Sequence, residues 1–406
     1  MQYGLIGEHL GHSFSKQIHE SVAHYSYDLL ELAPSEVASF LKKREFQAIN
    51  VTIPYKQVVI PYLDHISDEA KSIGAVNTVV NRSGVLFGYN TDYYGFIGLV
   101  KHSGIEVKGK TVLILGTGGA SKAVEVALKN LGAKEVLKAS IVEGEGISYD
   151  EIYDHQDVRV IVNATPVGMY PHNEDSIVDI SRFTNLEGYL DVIYNPLRTL
   201  NVIKVQEMGL KAEGGLYMLV AQAIYAMEYF LDKKIDESVI EKTYQDILKK
   251  NRNIVLIGMP SSGKTMVAKA LKEYEIVDTD ELVVQKIGIP IKEYFAKYGE
   301  KAFRDVETEV ISEIYKNAPR VIATGGGVIL KEENIKMLKQ NGILIFLNRD
   351  LDKLVATSDR PLSSNLDDLR KLFDYRYPLY KKYADVVVND NQDIEKVIEE
   401  VRRFAL

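Results

Sequence analysis

Cysteine is absent from the 406 residues, which excludes disulfides and thiolate metal sites outright. Histidine is scarce, and the eight present include no pair at the HExxH spacing of a zinc hydrolase. A cationic excess is also missing. Lys and Arg number 49 against 57 Asp and Glu, a formal charge of −8, which argues against a protein that grips nucleic acid through its phosphates. No uninterrupted apolar run reaches the length of a membrane span, and no basic-then-apolar leader opens the sequence. The plain expectation is a soluble, cytoplasmic protein with neither nucleic acid nor membrane as partner. Monomer and homo-oligomer both stay open. What the chain does have is length beyond one compact core, so two or three domains are expected.

Short β-branched runs alternate with amphipathic helical stretches, the signature of α/β layers. Strands are expected at Tyr3–Gly7, Ala48–Thr52, Thr111–Leu115, Val158–Asn163 and Tyr189–Val192. A second series is expected at Asn253–Ile257, Glu275–Asp278, Arg320–Ala323 and Ile343–Leu347. Between the series, Asp232–Asn253 is rich in charge and carries apolar residues at helical spacing. It reads as a terminal helix running into a short joint, with the boundary near Lys250.

Two segments point to nucleotides. GTGGAS (Gly116, Thr117, Gly118, Gly119, Ala120, Ser121) follows the apolar run Thr111–Leu115 and opens a helix to about Leu131. Glycines in that setting let the backbone approach a pyrophosphate whose charge sits at the helix N-terminus. GMPSSGKT (Gly258–Thr265) follows Asn253–Ile257 and satisfies the P-loop pattern. Nucleotide phosphates are expected on Gly258, Pro260, Ser261, Ser262 and Gly263, with Lys264 reaching the β/γ oxygens and Thr265 ligating Mg²⁺.

Three further segments look chemical. HSFSK (His12–Lys16) places the Ser13 and Ser15 hydroxyls on one side of an extended segment. NVTIPYK (Asn50–Lys56) ends an apolar strand in a polar Thr before Pro54 and Lys56, and GYNTD (Gly88–Asp92) follows GAVNTVV. A Lys and an Asp brought together can share one proton at a reacting oxygen. Taken singly, Lys56 reads as a surface lysine, Asp92 as a helix N-cap and the serines as a capping turn.

Taken together, residues 1 to about 248 resemble the shikimate dehydrogenase family, through HSFSK, NVTIPYK, GAVNT, GYNTD, GTGGAS, NATPVGM (Asn163–Met169), DVIYNP (Asp191–Pro196) and GGLYMLVAQA (Gly214–Ala223) in order. Residues 252–406 resemble shikimate kinase, through the P-loop, DTD (Asp278–Asp280), FRDVE (Phe303–Glu307), ATGGGV (Ala323–Val328), DRPL (Asp359–Leu362) and RYPLY (Arg376–Tyr380). The resemblance implies an α/β substrate subdomain (1–104 and 215–248), a Rossmann subdomain (105–214) and a P-loop kinase domain with a five-stranded parallel sheet (252–406).

For the first half the resemblance implies NADPH-dependent reduction of 3-dehydroshikimate to shikimate, with Lys56 and Asp92 as the catalytic pair. Ser13 and Ser15 would bind the substrate carboxylate with Tyr194 nearby, and Thr52, Asn77, Asn90 and Gln222 the ring hydroxyls. Thr117 to Ala120 would cradle the pyrophosphate, and Asn163, Thr165, Met169 and Met218 belong to the expected cofactor site. For the second half it implies ATP- and Mg²⁺-dependent phosphorylation of the shikimate 3-hydroxyl. Asp280 would position that hydroxyl, and Arg304 and Arg376 would clamp the carboxylate. Gly325, Gly326 and Gly327 would approach the ring, Arg360 would arrive on a lid, and Asp278 would lie near Mg²⁺. Singly, Arg304 could pair with Glu300 or Glu307, Arg376 with Asp374, and Asp278 and Asp280 could cap a helix.

The chain departs from the family pattern twice. After the second Rossmann strand the run is KEVLKAS and then EGEG, without the usual basic clamp for a 2′-phosphate. Lys138 and Ser140 are the substitutes, and no acidic residue ends that strand to take a ribose diol. NAD is therefore not excluded and weaker dinucleotide binding is expected. Quinate as substrate, or a redox-weak shikimate-binding module beside an active kinase, are the alternatives. The stretch before DRPL is short, with Lys353 the nearest basic residue, and weaker ATP binding or idle hydrolysis is expected.

Overall fold

A computed structural model describes residues 2–11, 13–355 and 365–405. The chain falls into two compact units, Met1–Ile247 and Leu248–Leu406.

The first unit holds two sheets. One is built from β1 (Tyr3–Gly7), β2 (Tyr27–Glu31), β3 (Ala48–Val51), β4 (His65–Ile66), β5 (Thr78–Arg82) and β6 (Val85–Tyr89), in the order β2-β1-β3-β5-β6-β4. It is mixed: β1 pairs with β2 and β3 in parallel, while β5 runs antiparallel to both β3 and β6. The other comprises β7 (Thr111–Leu115), β8 (Glu135–Ala139), β9 (Val158–Asn163), β10 (Gly188–Asp191) and β11 (Lys211–Glu213), all parallel in the order β11-β10-β9-β7-β8.

The unbroken apolar run of β7 has a physical reason. Val112 and Ile114 face one core with Phe96, Leu99, Val124 and Leu128, while Leu113 and Leu115 face another with Ile161, Tyr189 and Val202. A strand covered on both faces cannot alternate apolar with polar. The helix Leu216–Leu231 reaches both sheets. Its Met218 packs in the core under β7, and its Ala226 and Phe230 pack with Leu5, Ala48 and Val80 of the first sheet. Gln222 is thereby held between them.

The second unit has one five-stranded parallel sheet of β12 (Asn253–Ile257), β13 (Glu275–Asp278), β14 (Arg320–Ala323), β15 (Gly342–Asn348) and β16 (Val386–Asn389), ordered β13-β14-β12-β15-β16. All five residues of β12 are buried between β14 and β15. Chain order reverses beside this central strand, and the crevice beyond the carboxyl ends of such strands is where open α/β sheets bind ligands. The Gly258–Thr265 turn leaves β12 at that end. No helix among the described residues is long and apolar enough to cross a membrane.

Candidate functional site

In the first unit, Lys56 lies beyond the end of β3 and Asp92 in the first turn of the helix Asp92–Ser103. The Lys56 Nζ donates to Asp92 Oδ2 at 2.6 Å, with the two side chains 15% and 8% exposed. Asn77 fixes the other carboxylate oxygen, its Nδ2 donating to Asp92 Oδ1 at 2.9 Å. The orientation of that amide is set by its oxygen, which accepts from the Thr91 N–H at 2.8 Å and from the Thr78 hydroxyl at 3.0 Å. A lysine whose ammonium is held by one carboxylate keeps its remaining protons for a ligand.

Of the other expected substrate residues, Asn90 and Gln222 flank this couple through Thr91. Thr91 Oγ1 donates to Gln222 Oε1 at 3.3 Å, and the buried Asn90 donates to the Ala75 carbonyl at 2.9 Å. Thr52 follows β3 and packs its methyl over Gly7. The Ser13 hydroxyl lies near the Tyr194 phenol, and the Phe14 and Tyr194 rings lie 5.3 Å apart. The segment at Ser13 is not extended, however. Ser15 begins the helix Ser15–Val22, because the Ser13 hydroxyl accepts from the Ser15 N–H at 3.2 Å and turns the chain there.

The glycine turn stands beside the couple. A Cβ placed on Gly119 would lie 3.6 Å from Lys56 Cδ. Gly118 and Gly119 open the helix Gly119–Asn130, and Gly116 adopts φ 95° against the Thr165 methyl, a backbone closed to other residues. The buried Ser121 hydroxyl has no hydrogen-bond partner among the described residues. Free amides at a helix start together with a backbone bare of side chains fit a dinucleotide pyrophosphate.

Other residues expected at the cofactor are spoken for. Lys138 pairs with Glu125 at 2.8 Å, and Thr117 Oγ1 lies 3.3 Å from Ser140 Oγ. Glu145, in the EGEG run and outside the expected site residues, accepts from Thr117 Oγ1 at 2.9 Å. Met169 is exposed, whereas Met218 packs in the core. Asn163 shapes its own turn: its oxygen accepts from the Thr165 N–H and hydroxyl at 3.1 and 2.7 Å, and its amide donates to Asp191.

Asp191 ends β10 wholly buried, with no cation on it among the described residues. It accepts from the Thr199 hydroxyl at 2.8 Å and the Ile193 N–H at 2.9 Å. Burial pushes its carboxyl up to about 7, against the pull of those hydrogen bonds. The folded chain therefore keeps a proton that an unfolded Asp releases near 3.9. Stability from this group is complete at low pH and is lost as pH rises through about 7. Between pH 5 and 8 the urea-unfolding free energy of the first unit is expected to fall more in the wild type than in Asp191→Asn, by about 2–3 kcal/mol. Parallel pH curves for the two proteins would remove Asp191 as the cause.

In the second unit one cavity of about 1060 Å³ runs from the P-loop to Arg304 and Arg376. Lys264 is buried, with Nζ donating to the Gly258 and Met259 carbonyls at 2.9 and 2.8 Å. Thr265 Oγ1 donates to Asp278 Oδ2 at 2.7 Å, while Asp278 Oδ1 caps the helix Thr279–Ile287 through the Asp280 and Glu281 N–H groups. Asp278 is both the helix cap and the neighbour of the Thr265 hydroxyl. A hydroxyl beside a carboxylate is the hard-oxygen donor type that suits Mg²⁺.

At the far end Arg304 Nη1 donates to Glu307 Oε2 at 2.7 Å and Nη2 to Glu300 Oε1 at 3.2 Å. The guanidinium lies flat against Gly327, where any Cβ would overlap it. Arg376 is 3% exposed, with a buried Nε that has no hydrogen-bond partner among the described residues. Glu307 is a second residue beyond those expected at the site. Its Oε1 is buried without a hydrogen bond among the described residues, and both it and Asp280 crowd the open side of Gly325. Burial, with Asp280 adding to it, raises the Glu307 carboxyl against the opposing pull of Arg304. Its signal in the sequence is the i+3 spacing from Arg304. Lys353 donates to the Asn391 carbonyl at 3.1 Å. Arg360, and DRPL with it, lie outside the described residues.

Residues 5–79 match the family model described as the shikimate dehydrogenase substrate binding domain, and residues 260–405 match shikimate kinase. A shikimate dehydrogenase (NADP(+)) of Clostridium beijerinckii is 37% identical over 259 residues, covering 60% of this chain and 96% of that protein. Shikimate dehydrogenase 1 of Peptoclostridium difficile is 39% identical with a TM-score of 0.57, covering 61% of this chain and 98% of that one. A Thermus thermophilus shikimate 5-dehydrogenase in complex with NADP(H) and shikimate is 31% identical with a TM-score of 0.55, covering 61% and 99%.

Proposed function

Because the chain belongs to the shikimate dehydrogenase family and carries a shikimate kinase module after it, we propose that it takes one carbocyclic acid through two consecutive steps. The first unit reduces 3-dehydroshikimate to shikimate with NADPH, and the second phosphorylates the 3-hydroxyl of shikimate with ATP. The observation that carries this reading is the place of Lys56, between the Asp92 carboxylate at 2.6 Å and the glycine turn at Gly119. A pure binding module has no use for that juxtaposition. Both reactions belong in the cytoplasm, where ATP and reduced dinucleotide are supplied.

When bound, NADPH supplies a hydride to the ring carbonyl carbon. Lys56 gives a proton from Nζ to the carbonyl oxygen as negative charge develops there, and Asp92 holds the ammonium in line. Ser13, Ser15 and Tyr194 receive the carboxylate, while Thr52, Asn77, Asn90 and Gln222 orient the hydroxyls. In the second unit Arg304 and Arg376 hold the same carboxylate, and Asp280 accepts from the hydroxyl that attacks the γ-phosphorus. Lys264 swings from the loop carbonyls to the phosphate oxygens. Thr265 would ligate Mg²⁺ with Asp278 beside it, and the ion would neutralise phosphate charge.

Joining the two sites raises the concentration of each near the other's product. The test is an assay of the purified chain: shikimate-dependent reduction of NADP⁺, and in separate reactions shikimate-dependent release of ADP from ATP. Absence of the first activity leaves a kinase with a binding module, and absence of both removes the reading.

A further inference from the structure

The loop after β8 is built to a definite shape. The Ile147 N–H donates to the Lys138 carbonyl at 2.9 Å, and the Ser140 N–H to the Ile147 carbonyl at 3.0 Å, so residues 141–146 leave the strand and return to it. Inside that excursion the Ser140 hydroxyl accepts from the Val142 N–H at 3.0 Å, and the Glu145 N–H reaches the Val142 carbonyl at 3.3 Å. The turn carries the Glu145 carboxylate over the glycine turn of β7, where Thr117 donates to it at 2.9 Å.

In a Rossmann sheet this is where the adenosine ribose lies, between the first glycine turn and the end of the second strand. Lys138, the cation of that strand, has its ammonium 2.8 Å from Glu125, which also holds Lys129 at 2.6 Å. The ribose position thus presents a carboxylate with accepting oxygens, and the cation of β8 is engaged elsewhere.

We propose that Glu145 reads the 2′ position of the cofactor, and that this chain accepts NAD(H) alongside NADP(H). An unphosphorylated ribose offers hydroxyl donors to the carboxylate, replacing the Thr117 bond. A 2′-phosphate offers only like charge and must push Glu145 aside. The inference rests on the dehydrogenase reading of the first unit and adds the residue that sets its cofactor ratio.

The test uses the full chain and the rise in reduced-nicotinamide fluorescence on binding, titrated with NADH and with NADPH, alongside kcat/KM for shikimate oxidation with NAD⁺ and NADP⁺. Wild type is expected to bind NADH within about tenfold of NADPH. Glu145→Gln is expected to shift the affinity ratio toward NADPH by about tenfold, and Lys138→Ala to leave NADPH binding within about twofold of wild type. A wild-type preference for NADPH well beyond tenfold, a Glu145→Gln change shared equally by both dinucleotides, or loss of NADPH binding in Lys138→Ala overturns the proposal. Binding of neither dinucleotide by the wild type would instead overturn the dehydrogenase reading beneath it.

Discussion

Lys56→Ala is expected to lower kcat for shikimate oxidation by about 10²–10⁴-fold, the range for removing a positioned proton donor, and to leave shikimate-dependent ADP release at its wild-type rate. The ammonium is aimed by a buried 2.6 Å bond to Asp92, and Asp92 is itself fixed through Asn77. Removing Lys56 leaves Asp92 with its Asn77 hydrogen bond at the start of a helix, where a carboxylate is favourable. The fold should therefore survive. Every described partner of this couple lies within the first unit, so kinase turnover in the same preparation serves as the internal control. A loss smaller than about tenfold would mean that the proton comes from elsewhere. An equal loss in both activities would mean that the chain had not folded.

Much of this site is legible in the sequence, and the reason is local. β7 and β12 are short apolar runs buried on both faces, each followed at once by glycines and a helix, so strand, turn and helix lie within one window of sequence. What escapes such a window depends on contacts between distant segments. The hairpin of β5 and β6 sits inside a stretch that stands out for its polar residues, although Ser83-Gly84 between two apolar runs is a turn signal. β2 and β16 are edge strands with three of five and two of four residues exposed; charged residues interrupt β2, and the apolar run of β16 stops at three valines. Ser13 and Ser15 fall in the expected neighbourhood on a different backbone, because a serine that turns the chain looks the same in sequence as one in a strand.

Glu145 is the instructive case. No acidic residue ends β8, and by that criterion a ribose ligand is missing. The carboxylate arrives instead from a turn that folds back on the strand, joining Thr117 to a residue 28 positions away. Lys138 shows the converse. Sequence places a cation at the right point of β8, and only the fold reveals that Glu125, one helix away, has taken it. In the second unit Arg304 and Asp278 make the helix contacts that each suggests when taken singly, and they also line the cavity. The arginine pairs along its helix and lines the cavity, and the aspartate caps a helix while it engages Thr265.

Arg304→Ala is therefore expected to disturb both the stability and the activity of the second unit. Arg304 neutralises Glu307, whose side chain is 1% exposed and whose carboxyl burial already raises. Truncation leaves a buried carboxylate without its cation, a destabilisation of about 3–5 kcal/mol. Glu300 is 45% exposed, and losing its half of the contact adds little. On the proposed function the same truncation removes one of the two guanidinium groups offered to the substrate carboxylate. Shikimate kcat/KM is expected to fall about 30- to 4,000-fold, from the ~2–5 kcal/mol that truncating one partner of a buried charge pair removes. The two effects separate in the double variant with Glu307→Gln, which needs no cation. Its urea midpoint should recover toward wild type while kcat/KM stays low. Recovery of both would reduce Arg304 to a support for Glu307, and the grip on the substrate carboxylate would then rest on Arg376 alone.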